Sequence, residues 1–222
     1  MDGLFLTFEG PEGAGKSTQV RLLAESLRSD GFAVCQTREP GGTPVGERIR
    51  DLLLGKVAVA MAPETEALLH TAARAQHVRD VIRPALERGV IVLCDRFVDS
   101  TLAYQGGGGG VPFDELANIQ RIALGDTQPD MRFLLDLPVE TGLKRRREDG
   151  AGINRVDELE IAFHNRVRNA YHALVLALPV GWRVIDANGA AEEIAVDIRQ
   201  EVARLIVGKG DLVARQSEVA AV

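Results

Sequence analysis

Eight consecutive residues constrain this chain more than any others. Gly10, Pro11, Glu12, Gly13, Ala14, Gly15, Lys16 and Ser17, with Thr18 next, fit the pattern G-x-x-x-x-G-K-[ST]. The apolar run Leu4 to Phe8 precedes them. Val20, Leu23, Ala24 and Leu27 follow at i, i+3, i+4 and i+7, so the eight residues turn a strand into a helix that starts near Lys16 and can end at Gly31. In that setting the glycines let backbone N–H groups converge on an anion at a helix N-terminus. Lys16 is placed to bridge the β and γ phosphates of a nucleoside triphosphate, and the Ser17 hydroxyl to coordinate Mg2+.

Further apolar runs of strand length stand at Phe32 to Cys35, Val90 to Cys94, Phe133 to Leu137 and Val184 to Ile185, with helix-length segments between them. The alternation predicts an α/β fold, a P-loop NTPase-type parallel sheet of about five strands flanked by helices. Thr43 before Pro44 suits a helix start, and Pro63 opens a long helical segment that carries Arg74 towards Gly89. The glycine run Gly106 to Gly110 is expected to hold neither helix nor strand. Gly142 to Gly152, which sets Lys144, Arg145, Arg146 and Arg147 beside Gly150 and Gly152, is likewise expected to be mobile. From Gly208 the chain is polar and aperiodic, which predicts one domain over 1–207 and a flexible tail over 208–222.

Composition narrows the function classes. At 222 residues, 45% hydrophobic and 26% charged, the chain can bury a core without disulfides. It has no apolar run near the roughly 20 residues of a membrane span and no basic leader, which predicts a cytoplasmic protein without a membrane partner. Cys35 and Cys94 read as small buried thiols. A net charge of -6 argues against a nucleic-acid partner. Among the 26 basic residues only Lys16, Lys56, Lys144 and Lys209 are lysine, and arginine is the side chain shaped for bidentate phosphate contact, so a small anion is the expected partner.

Asp95 ends the run Val90 to Cys94, where a P-loop protein needs a carboxylate for the metal or its water shell, and Arg96 follows it into the crevice at the carboxyl edge of the sheet. A guanine-reading Asn/Thr-Lys-x-Asp element is missing, because Gly55, Leu143 and Gly208 precede the other lysines. A bare ATPase leaves unexplained the residues Arg38, Arg48, Arg74 and Arg96 interspersed with Glu39, Tyr104 and Gln105. A second polar pocket accounts for them.

Three more segments carry a resemblance: Thr37-Arg38-Glu39-Pro40-Gly41-Gly42-Thr43; Ala72-Ala73-Arg74-Ala75-Gln76; and Asp95-Arg96-Phe97 followed by Ser100-Thr101-Leu102-Ala103-Tyr104-Gln105-Gly106. With the P-loop they resemble, in order from about Leu4 to Val207, the signatures of the bacterial thymidylate kinase family. The resemblance implies phosphorylation of dTMP to dTDP by ATP with Mg2+, in dTTP synthesis, by a homodimer. It implies that Glu12 accepts from the 3'-hydroxyl of dTMP, that Arg74 and Gln105 contact thymine, and that Tyr104 stacks on the deoxyribose. Arg38 and Arg96 would hold the dTMP phosphate, with Arg48 near it, and Glu39 would orient metal-bound water and the phosphate donor. Some members carry an arginine inside the P-loop, whereas here that position is Gly13. Charge on the transferring group is then expected from Lys16, Arg96 and a lid over about 142–155 that carries Arg145, Arg146, Arg147 and Arg155.

The sequence departs from the family pattern in three ways. His70 and Thr71 stand where an aromatic side chain commonly stacks on thymine, Gly109 where an arginine is frequent, and Asn154 where aspartate usually precedes the lid arginine. Weaker base affinity and lid closure are the expectation. A kinase for another pyrimidine monophosphate or a deoxynucleoside, and a nucleotide-dependent regulatory module, stay open as alternatives at this level.

Overall fold

Period-two alternation along the first apolar run decides how the layers stack. In the computed structural model, which describes residues 3–55, 61–149 and 154–209, five strands form: β1 (Leu4–Glu9), β2 (Val34–Arg38), β3 (Ile91–Asp95), β4 (Met131–Asp136) and β5 (Trp182–Asp186). The helices are α1 (Lys16–Ser29), α2 (Pro44–Leu54), α3 (Pro63–His77), α4 (Arg83–Glu87), α5 (Val98–Thr101), α6 (Phe113–Leu124), α7 (Val139–Glu148), α8 (Ile161–Ala177) and α9 (Ala191–Lys209). Leu4, Leu6 and Phe8 face one side, onto Val20, Leu23 and Leu27 of α1 and Ile194, Ile198 and Val202 of α9. Phe5 faces the other side, with Val92, Cys94, Val78 and Ile82. Each central strand is thus covered on both faces, as a parallel sheet requires.

All pairings are parallel, in the order β2-β3-β1-β4-β5. Phe8 and Arg38 both lie opposite Asp95, so β1, β2 and β3 deliver Glu9, Arg38 and Asp95 to one edge of the sheet. Ligands bind at that edge in open α/β proteins.

Helix starts follow the expected signals. Gly15 caps α1 at φ 87, and the Thr43 hydroxyl oxygen accepts from the Gly46 N–H at 3.0 Å ahead of Pro44. The segment opened by Pro63 runs through α3, a π-helical turn at Val78–Ile82 and α4, as far as Glu87. Among the described residues no helix is long and apolar enough to cross a membrane. Cys94 is buried; Cys35, on edge strand β2, is only half-buried, and both thiols are free.

The glycine run corrects the sequence reading. Gly106, Gly107 and Gly108 belong to a π-helical segment, Leu102–Gly108, lodged against α8. A Cβ on Gly107 would stand 2.3 Å from the Ala170 Cβ, and one on Gly108 2.6 Å from the Phe163 ring. Glycine costs about 1 kcal/mol in a helix relative to alanine, and here the close approach to α8 offsets that cost. Residues 142–148 are corrected too, being helical within α7, with Gly142 buried. Gly150 and Gly152 lie outside the described residues. So does the tail from 210, while Gly208 and Lys209 complete α9.

Packing, rather than backbone freedom, should therefore govern substitution at Gly107. Gly107→Ala should lower the free energy of unfolding by about 1–3 kcal/mol in urea titrations. Gly208→Ala, helical with nothing within 4 Å of the added carbon, should leave stability equal or slightly higher.

Candidate active site

One cleft of about 570 Å³ opens at the carboxyl edge of the sheet, and its lining joins the P-loop to residues from β2, α2, α3, β3 and the Leu102–Gly108 turn. The loop is held by close backbone packing. Gly13, at φ 69, approaches α7 so tightly that a Cβ there would sit 1.9 Å from the Gly142 carbonyl oxygen. A side chain at Gly13, arginine included, has no room without displacing α7. Lys16 is 6% exposed and its ammonium donates to the carbonyls of Gly10 and Pro11 at 3.1 and 2.7 Å. Burial, with Arg96 adding to it, brings its pKa down to about 8.

The Ser17 hydroxyl donates to the Asp95 carboxylate. Among the described residues no cluster of three or more metal-ligating acidic, histidine or cysteine side chains occurs. Two adjacent hard oxygens nevertheless fit Mg2+, which takes one or two protein ligands and fills its octahedron with phosphate oxygens and water.

Arg96 joins the two halves of the cleft. It lies at φ 68, uncommon for a residue with a Cβ, and its backbone N–H donates to the Phe8 carbonyl at 2.9 Å. The guanidinium donates to the carbonyl of Gly10 at 3.0 Å, to the Glu12 carboxylate at 2.7 Å and to the Tyr104 hydroxyl at 3.0 Å. Ser100 and Tyr171 accept from it at 3.3 Å each. Burial alone would raise the Glu12 pKa, but Arg96, then Lys16 and the Tyr104 hydroxyl, outweigh it and hold the carboxyl at about 2. Arg96 stacks over the Tyr104 ring at 4.8 Å.

The sequence reading did not single out Glu9 beneath this group. It is fully buried and accepts from the Phe97 N–H at 2.8 Å, Ser100 at 2.5 Å and Tyr171 at 3.1 Å; burial, with Asp99 adding, pushes it to about 7. Its place at the end of an otherwise apolar strand was the available signal.

Cationic side chains crowd the end of the cleft lined by β2, α2 and α3. Arg38 lines the cleft while pairing with Glu47 at 3.0 Å, largely in solvent. Arg48 is exposed and outside the lining, and Arg50 is the helix residue that reaches in, donating to the Pro40 carbonyl at 2.9 Å. Helical spacing carried that signal: Gly46, Arg50 and Leu53 stand at i, i+4 and i+7 on the inward face of α2. Burial lowers the Arg50 pKa, and the charge of Arg38 lowers it further. His70 also lines the cleft. Burial, then the charges of Arg74, Arg96, Arg155 and Arg50, hold its pKa at about 3, so the ring is neutral at working pH. Thr71 instead donates to the Ala67 carbonyl at 2.7 Å and is not in the lining.

Arg74 is 1% exposed. It donates to Glu39 at 2.7 Å, Thr101 at 3.1 Å, Gln120 at 2.6 Å and the Phe97 carbonyl at 2.9 Å, which leaves one of its five N–H donors without a partner among the described residues. The second Glu39 oxygen is held by the imidazole of His77 at 2.9 Å, so Glu39 reaches the cleft from a buried, doubly anchored position. His77, Thr101 and Gln120 were not singled out from the sequence, because nothing local marks a residue whose role is to brace an arginine.

The four lid candidates separate. Arg145 donates to the carbonyls of Ala187 and Asn188 at 2.8 and 3.0 Å, at the end of the cleft lined by Gly189, Ala191 and Ile194. Arg146 lines the cleft between Asp149 at 2.8 Å and Asp157 at 3.2 Å. Arg147 is exposed and outside the lining. Arg155 crosses to the end lined by α2 and α3, donating to Glu66 at 2.6 Å and to the Leu53 carbonyl at 3.2 Å. Gln105, 6% exposed, donates to the other oxygen of Glu66 at 3.3 Å.

Comparison with known proteins agrees with this geometry. The family model for thymidylate kinase matches residues 8–198. The thymidylate kinase of Thermomicrobium roseum is 60% identical over 191 residues, which are 86% of this chain and 90% of that one. The thymidylate kinase of Ectopseudomonas mendocina is 49% identical over 198 residues, 89% of this chain and 94% of its own. The crystal structure of thymidylate kinase from Ehrlichia chaffeensis superposes with a TM-score of 0.74 at 30% identity, covering 90% of this chain and 98% of that one. A P-loop facing a cluster of guanidinia on a parallel sheet, matched over most of its length by such relatives, means that the chain belongs to the thymidylate kinase family.

Proposed function

We propose that the chain transfers the γ-phosphoryl group of ATP to dTMP, giving dTDP and ADP. The observation that carries this reading is the continuity of the cleft, in which the phosphate-binding loop and a second group of cations, Arg38, Arg50 and Arg96, face one space. An ATPase or a regulatory module has no use for the second group. ATP enters with its base towards Gly189, Ala191 and Ile194 beside Arg145, and its phosphates in the loop Gly10 to Thr18. There Lys16 exchanges the carbonyls of Gly10 and Pro11 for phosphate oxygens.

The acceptor oxygen of dTMP is already anionic near neutral pH, so alignment and charge do the catalytic work. Arg38, Arg50 and Arg96 hold the acceptor phosphate, with Arg50 in the place the resemblance gave to Arg48. Glu12 accepts from the 3'-hydroxyl, and Tyr104, locked to Glu12 and Arg96, fills the space a 2'-hydroxyl would need. Arg74 and Gln105 meet the thymine edge while the neutral His70 ring lies along it. Lys16, Arg96 and Arg146 stabilise the transferring group. Ser17 and Asp95, with Glu39 nearby, would hold Mg2+, which when bound would supply charge neutralisation at the phosphates. In this reading the protein is cytoplasmic and homodimeric, with Leu68 on α3 and Phe113 and Ile122 on α6 among the exposed apolar side chains available to a second copy.

Incubation of the purified protein with ATP, Mg2+ and a panel of nucleoside monophosphates and nucleosides should yield dTDP from dTMP as the preferred product. Phosphorylation of a nucleoside alone, or no transfer, would overturn the assignment. The cleft geometry also separates two neighbouring arginines. Arg50→Ala should raise the KM for dTMP by about 10- to 100-fold, as loss of a charge-assisted phosphate contact does, whereas Arg48→Ala should stay within about twofold of the parent enzyme. Steady-state kinetics of the two variants, side by side, checks this.

A further inference from the structure

A carboxylate stands behind the base pocket with no role in the reading above. Glu66, on α3, has 16% of its side-chain surface exposed. It receives Arg155 on one oxygen at 2.6 Å and the Gln105 side-chain nitrogen on the other at 3.3 Å. The Arg155 guanidinium is itself pinned by the Leu53 carbonyl at 3.2 Å. All three side chains line the cleft, next to His70 and Arg74.

An ionised carboxylate only accepts hydrogen bonds, whereas an amide can turn either end to a partner. Facing Glu66, Gln105 must present its NH2 group. Its carbonyl oxygen, with no hydrogen bond from any described residue, is then the end offered to the cleft. Arg74, with four of its donors spent inside the protein, adds only a donor to the same wall. The pocket therefore shows a base one acceptor and one donor. A 4-oxopyrimidine carries N3–H beside a carbonyl oxygen and satisfies both. A 4-aminopyrimidine carries a bare N3 beside an amino group and satisfies neither.

We propose that Glu66 is a specificity-determining positioning residue: by fixing the Gln105 amide with its oxygen towards the base, it makes the enzyme select 4-oxo over 4-amino pyrimidine monophosphates. This rests on the reading that Gln105 contacts the base. Glu66 touches no substrate, and acts only through the orientation it imposes on Gln105. Arg155, by taking the other oxygen, sets the position of the carboxylate.

The test compares kcat/KM for dTMP and dCMP in the wild type, Glu66→Gln and Gln105→Ala, with melting temperatures measured alongside. A glutamine at 66 can donate or accept, so it frees the Gln105 amide to turn. The dTMP-to-dCMP ratio should fall about tenfold or more, mainly through a higher KM for dTMP with kcat little changed. An unchanged ratio, or equal losses for both nucleotides, in folded Glu66→Gln would overturn the proposal and leave Glu66 a packing residue. If that variant does not fold, Glu66→Ala, which also removes the acceptor, is read by the same criteria. Should Gln105→Ala abolish the preference while the Glu66 variants keep it, Gln105 reads the base without Glu66 and only the present proposal falls. Should Gln105→Ala leave the preference intact, the base contact and the proposal fall together.

Discussion

The ion pair between Arg96 and Glu12, at 2.7 Å, is the contact on which the rest of the site depends. Glu12 belongs to the P-loop and Arg96 follows the last residue of β3, so the pair ties the loop to the facing wall of the cleft. In the proposed reaction that tie sets the distance between donor and acceptor. Holding a side-chain-bearing residue at φ 68 costs on the order of 1–3 kcal/mol, and it persists because its surroundings over-determine it. Its N–H is bonded to Phe8, its carbonyl oxygen accepts from the Cys94 thiol at 3.0 Å, and the next N–H is held by buried Glu9. The strain lies on the reacting side of the sheet, where it aims a guanidinium that an extended backbone would direct elsewhere.

Charge explains why the cleft is built for an anion. Arg38, Arg50 and Arg96 converge, and of these Arg96 alone has a close carboxylate within the cleft, because the partner of Arg38 is the solvent-facing Glu47. Burial first, and then the neighbouring guanidinium charges, lower the pKa values of Arg50 and His70. A phosphate relieves that repulsion, so its binding energy includes charges already assembled at the cost of folding. Arg74 illustrates the opposite use of an arginine. Surrounded by Glu39, Thr101, Gln120 and the Phe97 carbonyl, it braces the wall of the pocket with four of its donors.

Much of this was legible before the fold was known. Central strands β1, β3 and β4 announced themselves because burial on both faces demands an unbroken apolar run. Edge strand β2 starts two residues later than the apolar run: Phe32 and Ala33 are buried just ahead of it, with the Ala33 carbonyl accepting from the Ile91 N–H, whereas exposed Gln36 and Arg38 join the sheet through backbone pairing. The helical turn through Gly106 to Gly108 could not be read locally, since glycine propensity opposes helix and the reason for it, Ala170 and Phe163 of α8, lies some sixty residues away. In the site, the cleft-lining P-loop residues and Arg38, Arg74, Asp95, Arg96, Tyr104 and Gln105 sit in local motifs legible in the sequence. Those that brace them, Glu9 on β1, Glu66 and His77 on α3 and Gln120 on α6, are scattered along the chain and meet only in three dimensions. Arg48, which the resemblance sets near the phosphate, faces solvent, and the helical period of α2 turns Arg50 into the cleft instead.

A double-mutant cycle on kcat/KM for dTMP, with Glu12→Gln, Arg96→Lys and both together, tests most directly whether the pair acts as one unit. The account requires non-additivity: once either partner is changed, the second substitution should cost little more, with a coupling of at least about 1–2 kcal/mol. Losses that simply add would show that Glu12 and Arg96 serve their ligands independently, and would contradict the claim that their contact sets the geometry of transfer.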